Sequence, residues 1–198
     1  VMMLDEMISL FSVDGLQKKA AVFDTKKLEW MNGQHLSLTP SAELEPRITP
    51  DIIAAGLASA EWLASHREWY LALIELLKVR ARTVHDIVRQ AIPYFPGQIS
   101  YDADAVAKQW KDRAAACETL TAVRDRLSEL ASWDVVTLEQ ALRALAEERG
   151  VAAGKIFQPL RLALTGMTVS PGIFDVLLTM GRELALQRVR DAVGYLRG

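Results

Sequence analysis

The side chains able to do chemistry are few, and none stands at the spacing that chemistry needs. The histidines are His35, His66 and His85. None has a second histidine, a cysteine or paired acids at ligand spacing, so each reads as a surface or hydrogen-bonded histidine rather than a metal ligand. Cys117 falls on an apolar stripe and reads as an inert core thiol. As the single cysteine, it excludes an intramolecular disulfide framework and a cysteine-based zinc site. Glu147-Glu148 sit on a helix between Arg143 and Arg149, a solvated face rather than an acid–base pair. There is no Ser-His-Asp order, no G-x-S-x-G elbow, no G-x-x-x-x-G-K-[ST] phosphate loop and no G-x-G-x-x-G turn. The expectation is a chain with no catalytic residue, no metal site and no cofactor of its own.

The totals are those of an ordinary globular chain and mark no partner. The 198 residues have room for one large or two small domains, and 51% hydrophobic with 24% charged residues is ordinary globular composition. A formal net charge of −2 provides no bulk attraction for nucleic acid, so any such contact depends on where individual Arg and Lys residues are placed. No apolar run approaches the roughly 20 residues that span a bilayer. The opening Val1-Met2-Met3-Leu4-Asp5-Glu6 lacks the basic-then-apolar pattern of a secretory signal and reads as a start inside a longer chain. One cysteine and no such signal point to the reducing cytoplasm.

Helical signals dominate the chain. Residues 2–11 read as a short amphipathic helix, and Asp24 as the cap of a helix that stops at Asn32-Gly33. Residues 36–48, with Pro40 and Pro46, read as a loop. Thr49-Pro50-Asp51 then combines a capping hydroxyl, a proline and an acid as the start of a helix running to about Ser65. A second helix covers about 67–80, and Thr83-Val84-His85-Asp86 is a capping box with Asp in place of Glu. Pro93-Tyr94-Phe95-Pro96-Gly97 is a breaker and the expected domain boundary. Beyond it, 102–131 is one long helix or two with a kink. Thr137 is expected to open a helix that Gly150 closes, and helix 155–164 to end at Thr165-Gly166. Ser170-Pro171 is expected to cap a helix stopping at Gly181, and 182–196 to form a last amphipathic helix. No strand pattern exceeds a few residues. The fold class is all-α, in two packed helical bundles.

Two stretches carry a resemblance. Residues 11–36 include Lys18-Lys19, Phe23-Asp24, Lys26-Lys27-Leu28-Glu29-Trp30-Met31-Asn32-Gly33 and His35. They resemble the segment that follows the KMSKS-type loop in bacterial glutamyl-tRNA synthetases, F-[ST]-x-x-x-[IVL]-x-K-x-x-A-x-F-D-x-x-K-L-x-W-[ML]-N. Residues 150–183 include Gly154-Lys155-Ile156-Phe157-Gln158-Pro159-Leu160-Arg161 and Leu164-Thr165-Gly166 through Ser170-Pro171-Gly172-Ile173-Phe174. They are similar to the same family's block G-K-x-[FL]-x-P-[LI]-R-x-A-[LV]-[TS]-G-x-x-x-[ST]-P-x-[LI]-F. Nearly the whole chain is covered, with 98–135 only generically alike. Thr25 replaces a common proline, and Met167 stands where the family often has Arg. The family's HIGH-type and KMSKS-type catalytic motifs do not occur.

The resemblance implies an α-helical cage that reads a tRNA anticodon. Residues 1–35 would be the end of a stem-contact region, with helical subdomains at 36–100 and 101–198. Arg161, Ser170, Pro171 and Ile173 align with the anticodon-reading surface. Arg80, in the Lys78, Arg80, Arg82 cluster before Thr83, is the candidate for inspecting the third anticodon base. Lys18, Lys19, Lys26 and Lys27 would touch the tRNA backbone. Arginine offers a fixed fork of donors suited to base edges splayed from a loop. The plain alternatives are a surface salt bridge for Arg161, a solvated patch for Arg80, and core packing for the five tryptophans. ATP and Mg would belong to the catalytic part of the parent enzyme. The implied partner is tRNA(Glu), with tRNA(Gln) left open, and the expected state is a monomer. A helical protein-interaction module of the same descent, without RNA binding, is the competing reading.

Overall fold

The computed structural model describes residue 2 and residues 4–16 and 22–198. Among these there are twelve α-helices and no strand. In chain order they are α1 (Leu4–Leu10), α2 (Thr25–Leu38), α3 (Ser41–Ala54), α4 (Ala60–Ser65), α5 (Arg67–Lys78), α6 (Val84–Ala91), α7 (Ala103–Gln109), α8 (Arg113–Ser128), α9 (Val135–Glu148), α10 (Gly154–Thr165), α11 (Ile173–Met180) and α12 (Arg182–Arg197). The all-α expectation holds.

The first half packs α3 against α5 and α6. The helix at 41–54 corrects the expected loop, and Thr49-Pro50-Asp51 lies inside it rather than at a helix start. Leu44, Ile48 and Ile52 recur every fourth residue and are fully buried. At about 1.5–3 kcal/mol each, they offset the roughly 3 kcal/mol that an interior proline costs. Pro46 and Pro50 both face solvent. The helix ends in a Schellman motif at Gly56, whose φ is +68°. The Leu57 N–H donates to Ile52 O at 3.2 Å and the Gly56 N–H to Ile53 O at 2.9 Å. Ser59 then caps α4.

Asp24 caps α2 as expected, accepting the Lys27 N–H at 3.1 Å. Asn32-Gly33 does not stop the helix, which continues to Leu38. The pair docks it instead. Asn32 Nδ2 donates to Arg82 O, and a Cβ on Gly33 would lie 3.0 Å from the Arg82 side chain and 3.1 Å from Ala81 O. Helix α1 forms, but none of its residues is buried.

The second half is built on α8 and α12. Leu120, Val123 and Leu127 meet Ala185, Val189, Ala192, Val193 and Leu196, an apolar stripe at helical spacing on each partner. Helices α10 and α11 close over this pair. The cap of α9 differs from expectation. Asp134, not Thr137, caps α9, and Thr137 serves it by donating its N–H at 2.9 Å and its hydroxyl at 2.8 Å. The hydroxyl of Ser132 and then these Thr137 bonds hold the exposed Asp134 carboxyl down at about 2. Gly150, Gly166 and Gly181 do end helices, as expected.

The halves are joined at the 93–97 breaker. Arg188 on α12 is 1% exposed. Its guanidinium donates to Pro93 O at 3.2 and 3.0 Å, to Phe95 O at 2.6 Å, and to Gly97 O. Trp69 on α5 adds a bond from Nε1 to Thr179 O at 2.8 Å. Replacing Arg188 with Met keeps the apolar stem and strands the two buried carbonyls of Pro93 and Phe95, each worth about 1–3 kcal/mol when orphaned. Urea unfolding is expected to show a loss of at least about 2 kcal/mol. An unchanged midpoint would mean that water replaces the guanidinium without cost.

Candidate nucleic-acid interface

Two clefts meet at the loop between α10 and α11. One, of about 300 Å³, lies between Arg80, Arg89 and Gln90 on one side and Asp102, Met167, Thr168 and Val169 on the other. The second, of about 260 Å³, shares Arg89, Asp102 and Met167 and continues past Ile92, Ile99 and Ser100 to Gly166.

The arginine side is set by the end of α5 and the start of α6. After Lys78 the chain turns tightly, with the Arg80 and Ala81 N–H groups reaching Leu77 O and Lys78 O at 3.1 and 3.2 Å. That turn leaves Arg80 exposed. The Lys78, Arg80, Arg82 cluster is therefore not a uniform basic patch. Lys78 is 4% exposed, donates to Thr39 O at 2.8 Å and pairs with Glu75 at 2.8 Å. The capping box forms as expected. Asp86 Oδ2 accepts the Arg82 and Thr83 N–H groups at 3.0 Å, and Asp86 Oδ1 accepts from Arg89 at 3.0 Å. Partial burial pushes this carboxyl up, but those bonds and the Arg89 charge outweigh it and hold it low. Arg89 is thereby aimed into the cleft by a residue whose main task is to start α6.

The loop side is set by Arg161. Its Nη1 donates to Ser170 Oγ, to Ser170 O at 3.2 Å and to Pro171 O at 2.6 Å. Burial lowers the proton affinity of the guanidinium, and the neighbouring Arg80 charge adds to that effect. Ser170 is itself buried and does not cap α11, whose N-cap is Gly172 with no side-chain bond. At the other end of the loop Gly166 adopts φ +72°, and a Cβ there would sit 2.2 Å from Ser100 O. Its carbonyl accepts the Asp102 N–H at 2.9 Å. The Tyr94 hydroxyl is buried without a hydrogen-bond partner among the described residues. Burial pushes it well up, and Asp175, Arg161 and Arg80 are near enough to influence it.

The candidate residues thus fall into separate roles. Arg161, Ser170 and Pro171 form one hydrogen-bonded group, with Arg80 beside it. Ile173 is 5% exposed and packs in the core. Lys26 and Lys27 are exposed on the first turn of α2, and Lys18 and Lys19 lie outside the described residues. Trp110 is fully buried, Trp62, Trp69 and Trp133 are partly buried against the core, and Trp30 stands 48% exposed. Arg89, Gln90, Asp102 and Tyr94 were not singled out from the sequence. For Arg89 a signal existed, because it follows the capping Asp86 by three residues on one helix face.

A family model described as an anticodon binding domain matches residues 44–193. Glutamate–tRNA ligase 2 of Koribacter versatilis is 37% identical over 188 residues, 95% of this chain and 38% of the relative. Glutamate–tRNA ligase 1 of Syntrophus aciditrophicus is 34% identical over 98% of this chain and 40% of its own length. The chain spans about two fifths of the curated relatives it matches. Among solved structures, a glutamate tRNA ligase from Elizabethkingia meningosepticum superposes with a TM-score of 0.78 at 28% identity, covering 97% of this chain and 36% of that one.

The loop should depend on Arg161. Arg161→Met removes the donors and keeps the stem, at an expected cost of about 2 kcal/mol in unfolding free energy. Amide exchange across 166–172 should quicken more than elsewhere. Uniform exchange in the variant would show that the loop holds its shape unaided.

Proposed function

The chain belongs to the anticodon binding domain family, and from that premise we propose that it is the anticodon-reading part of a glutamate–tRNA ligase. The observation that carries the reading is the span of the family match. Residues 44–193 include both walls of the arginine cleft, from Arg80 and Arg89 to the 167–169 loop.

The binding chemistry follows from the geometry. A single-stranded loop offers splayed bases whose edges and faces can be read. Arg80 is exposed at the cleft mouth and provides donors for a base edge. Gln90 adds an amide with both donors and an acceptor. Arg161, Ser170 and Pro171 act as a rigid wall: their mutual bonds fix the loop before RNA arrives, which lowers the entropy cost of binding. Ile173 anchors that wall from the core. Lys26 and Lys27, with Lys18 and Lys19, contribute phosphate contacts without sequence preference.

In this reading residues 1–35 end a stem-contact region, and 36–100 and 101–198 are the two anticodon-binding subdomains. The full-length parent joins glutamate to tRNA(Glu) with ATP and Mg in the cytoplasm. ATP and Mg act in its catalytic part, and no step on this chain passes through them. Among the described residues no group of three or more His, Cys, Asp or Glu is placed to hold a metal ion.

Binding of tRNA(Glu) transcripts with native and substituted anticodons tests this directly. The native anticodon is expected to bind at least tenfold tighter. Arg80→Ala should cost about 1–3 kcal/mol against the native anticodon, with little effect on the substituted one. Equal affinity for both RNAs would remove the reading role. No affinity for either at low salt would favour the protein-interaction alternative.

A further inference from the structure

The arginine cleft is poorly supplied with free charge. Of the cations lining or flanking it, Arg161 turns its donors inward and Arg89 pairs with Asp86. Arg80 is left as the lining cation with no ion pair among the described residues. Yet affinity for RNA comes largely from neutralised phosphates, and the chain as a whole carries −2. The phosphate-binding charge must be concentrated somewhere else.

Beside the exposed Lys26 and Lys27 of α2, a second place among the described residues gathers it. A cleft of about 640 Å³ lies between the α7–α8 turn and the α9–α10 turn. Lys108, Lys111, Arg149 and Lys155 all line it and all are exposed. None makes an ion pair or a side-chain hydrogen bond among the described residues. The acid in the lining is Asp112, whose Oδ1 is engaged as the cap of α8, accepting the Ala115 N–H at 3.0 Å. Two of the cations sit where the fold disfavours them. Lys155 lies in the first turn of α10, which has no acid, and Lys111 immediately precedes the cap of α8. Both are at the positive end of a helix dipole, where an anion is preferred. The floor is apolar and small, with Ala115, Ala116 and Pro159, and no aromatic ring lines the cleft.

We infer that this cleft is a second RNA contact, gripping the sugar–phosphate backbone at a point separate from the arginine cleft. Lysines act as point charges for phosphate, without the fork that reads a base. A lining without aromatic rings offers no platform for base stacking. The contact is therefore independent of sequence. It engages a different stretch of RNA, because Ile156 and Pro159 lie about 140° and 200° around α10 from Arg161 at 100° per residue. The helix between the two faces is core, with Leu160, Leu162 and Leu164 fully buried.

The inference rests on the RNA-binding reading, and the test separates the two. Binding of native and anticodon-substituted tRNA(Glu) is measured across a salt series for the wild-type chain, for K108A/K111A/R149A/K155A and for R80A. All four cleft side chains are exposed, and circular dichroism checks that the variant is folded. The four-site variant is expected to weaken both RNAs by the same factor, tenfold or more at about 0.1 M salt. Its log–log salt slope should be shallower by roughly three, at about 0.7–0.9 per phosphate for four cations. R80A should change the ratio between the two RNAs and the slope by less than one. A wild-type chain that binds neither RNA sinks the functional reading. Normal wild-type binding with an unchanged slope in the four-site variant overturns this inference alone. So does a four-site variant that alters discrimination between the RNAs, or displacement from the cleft by polyglutamate but not by RNA.

Discussion

A buried guanidinium holds the two halves of this molecule in register. Removing the Arg188 charge from water is costly unless its donors are met. Here they meet the carbonyls of Pro93, Phe95 and Gly97, groups that a tight turn cannot pair with its own backbone. Burial pulls the proton affinity of this arginine down, and Asp191 then Tyr101 pull it back. The segment so fixed supports contacts in both directions. Phe95 packs edge-on against Trp62 and Trp69, and Trp69 in turn bonds to the end of α11. Tyr94, on the same turn, feels the charges of Arg80 and Arg161, and Pro93 itself lines the second cleft. The cleft therefore inherits its shape from a contact made on α12.

Arg161 repeats the device at smaller scale. One nitrogen gathers the carbonyls and hydroxyl of 170–171, while Gly166 lets the backbone pass within contact of Ser100. A loop tied at both ends loses less entropy on binding than a free one. The residue expected to touch a base thus does its main work on the protein, and the surface presented to a ligand belongs to Arg80, Arg89, Gln90 and the 167–169 backbone.

What the sequence made legible was local. The Thr83–Asp86 capping box, the Asp24 cap and the stops at Gly150, Gly166 and Gly181 each involve residues within a turn or two of one another, so their chemistry is written in adjacent letters. What failed was decided across the fold. Pro46 read as a breaker and Pro50 as a helix start because the burial that carries one helix through both comes from α5 and α6. Asn32-Gly33 read as a stop because its partners, Ala81 and Arg82, are some fifty residues away. Ser170 read as a cap because nothing local reveals that Arg161 already holds it. The site was legible only through resemblance, which pointed to Arg161 and Arg80 but could not divide a scaffold role from a contact role.

The same division governs how charge should be counted. Arg113 donates to the last carbonyls of α12 at Tyr195 and Leu196 and lies over the Tyr195 ring at 5.4 Å. Arg182 donates to Leu130 O beyond α8 and lies over Trp133 at 5.4 Å. With Arg161 and Arg188, these arginines close backbone ends that a helical cage leaves open at every turn. The planar fork that suits arginine to RNA suits it equally to paired carbonyls, so an arginine in such a chain is as readily consumed by the fold as offered to a ligand. Lysine, with a point charge on a long stem, is consumed less often; Lys78 is the exception, bound to Thr39 O. Net charge of −2 is then no measure of what an RNA meets. The relevant quantity is the charge left over after the helix ends and turns are satisfied, and that remainder includes Arg80, the α2 lysines Lys26 and Lys27, and the cleft of Lys108, Lys111, Arg149 and Lys155.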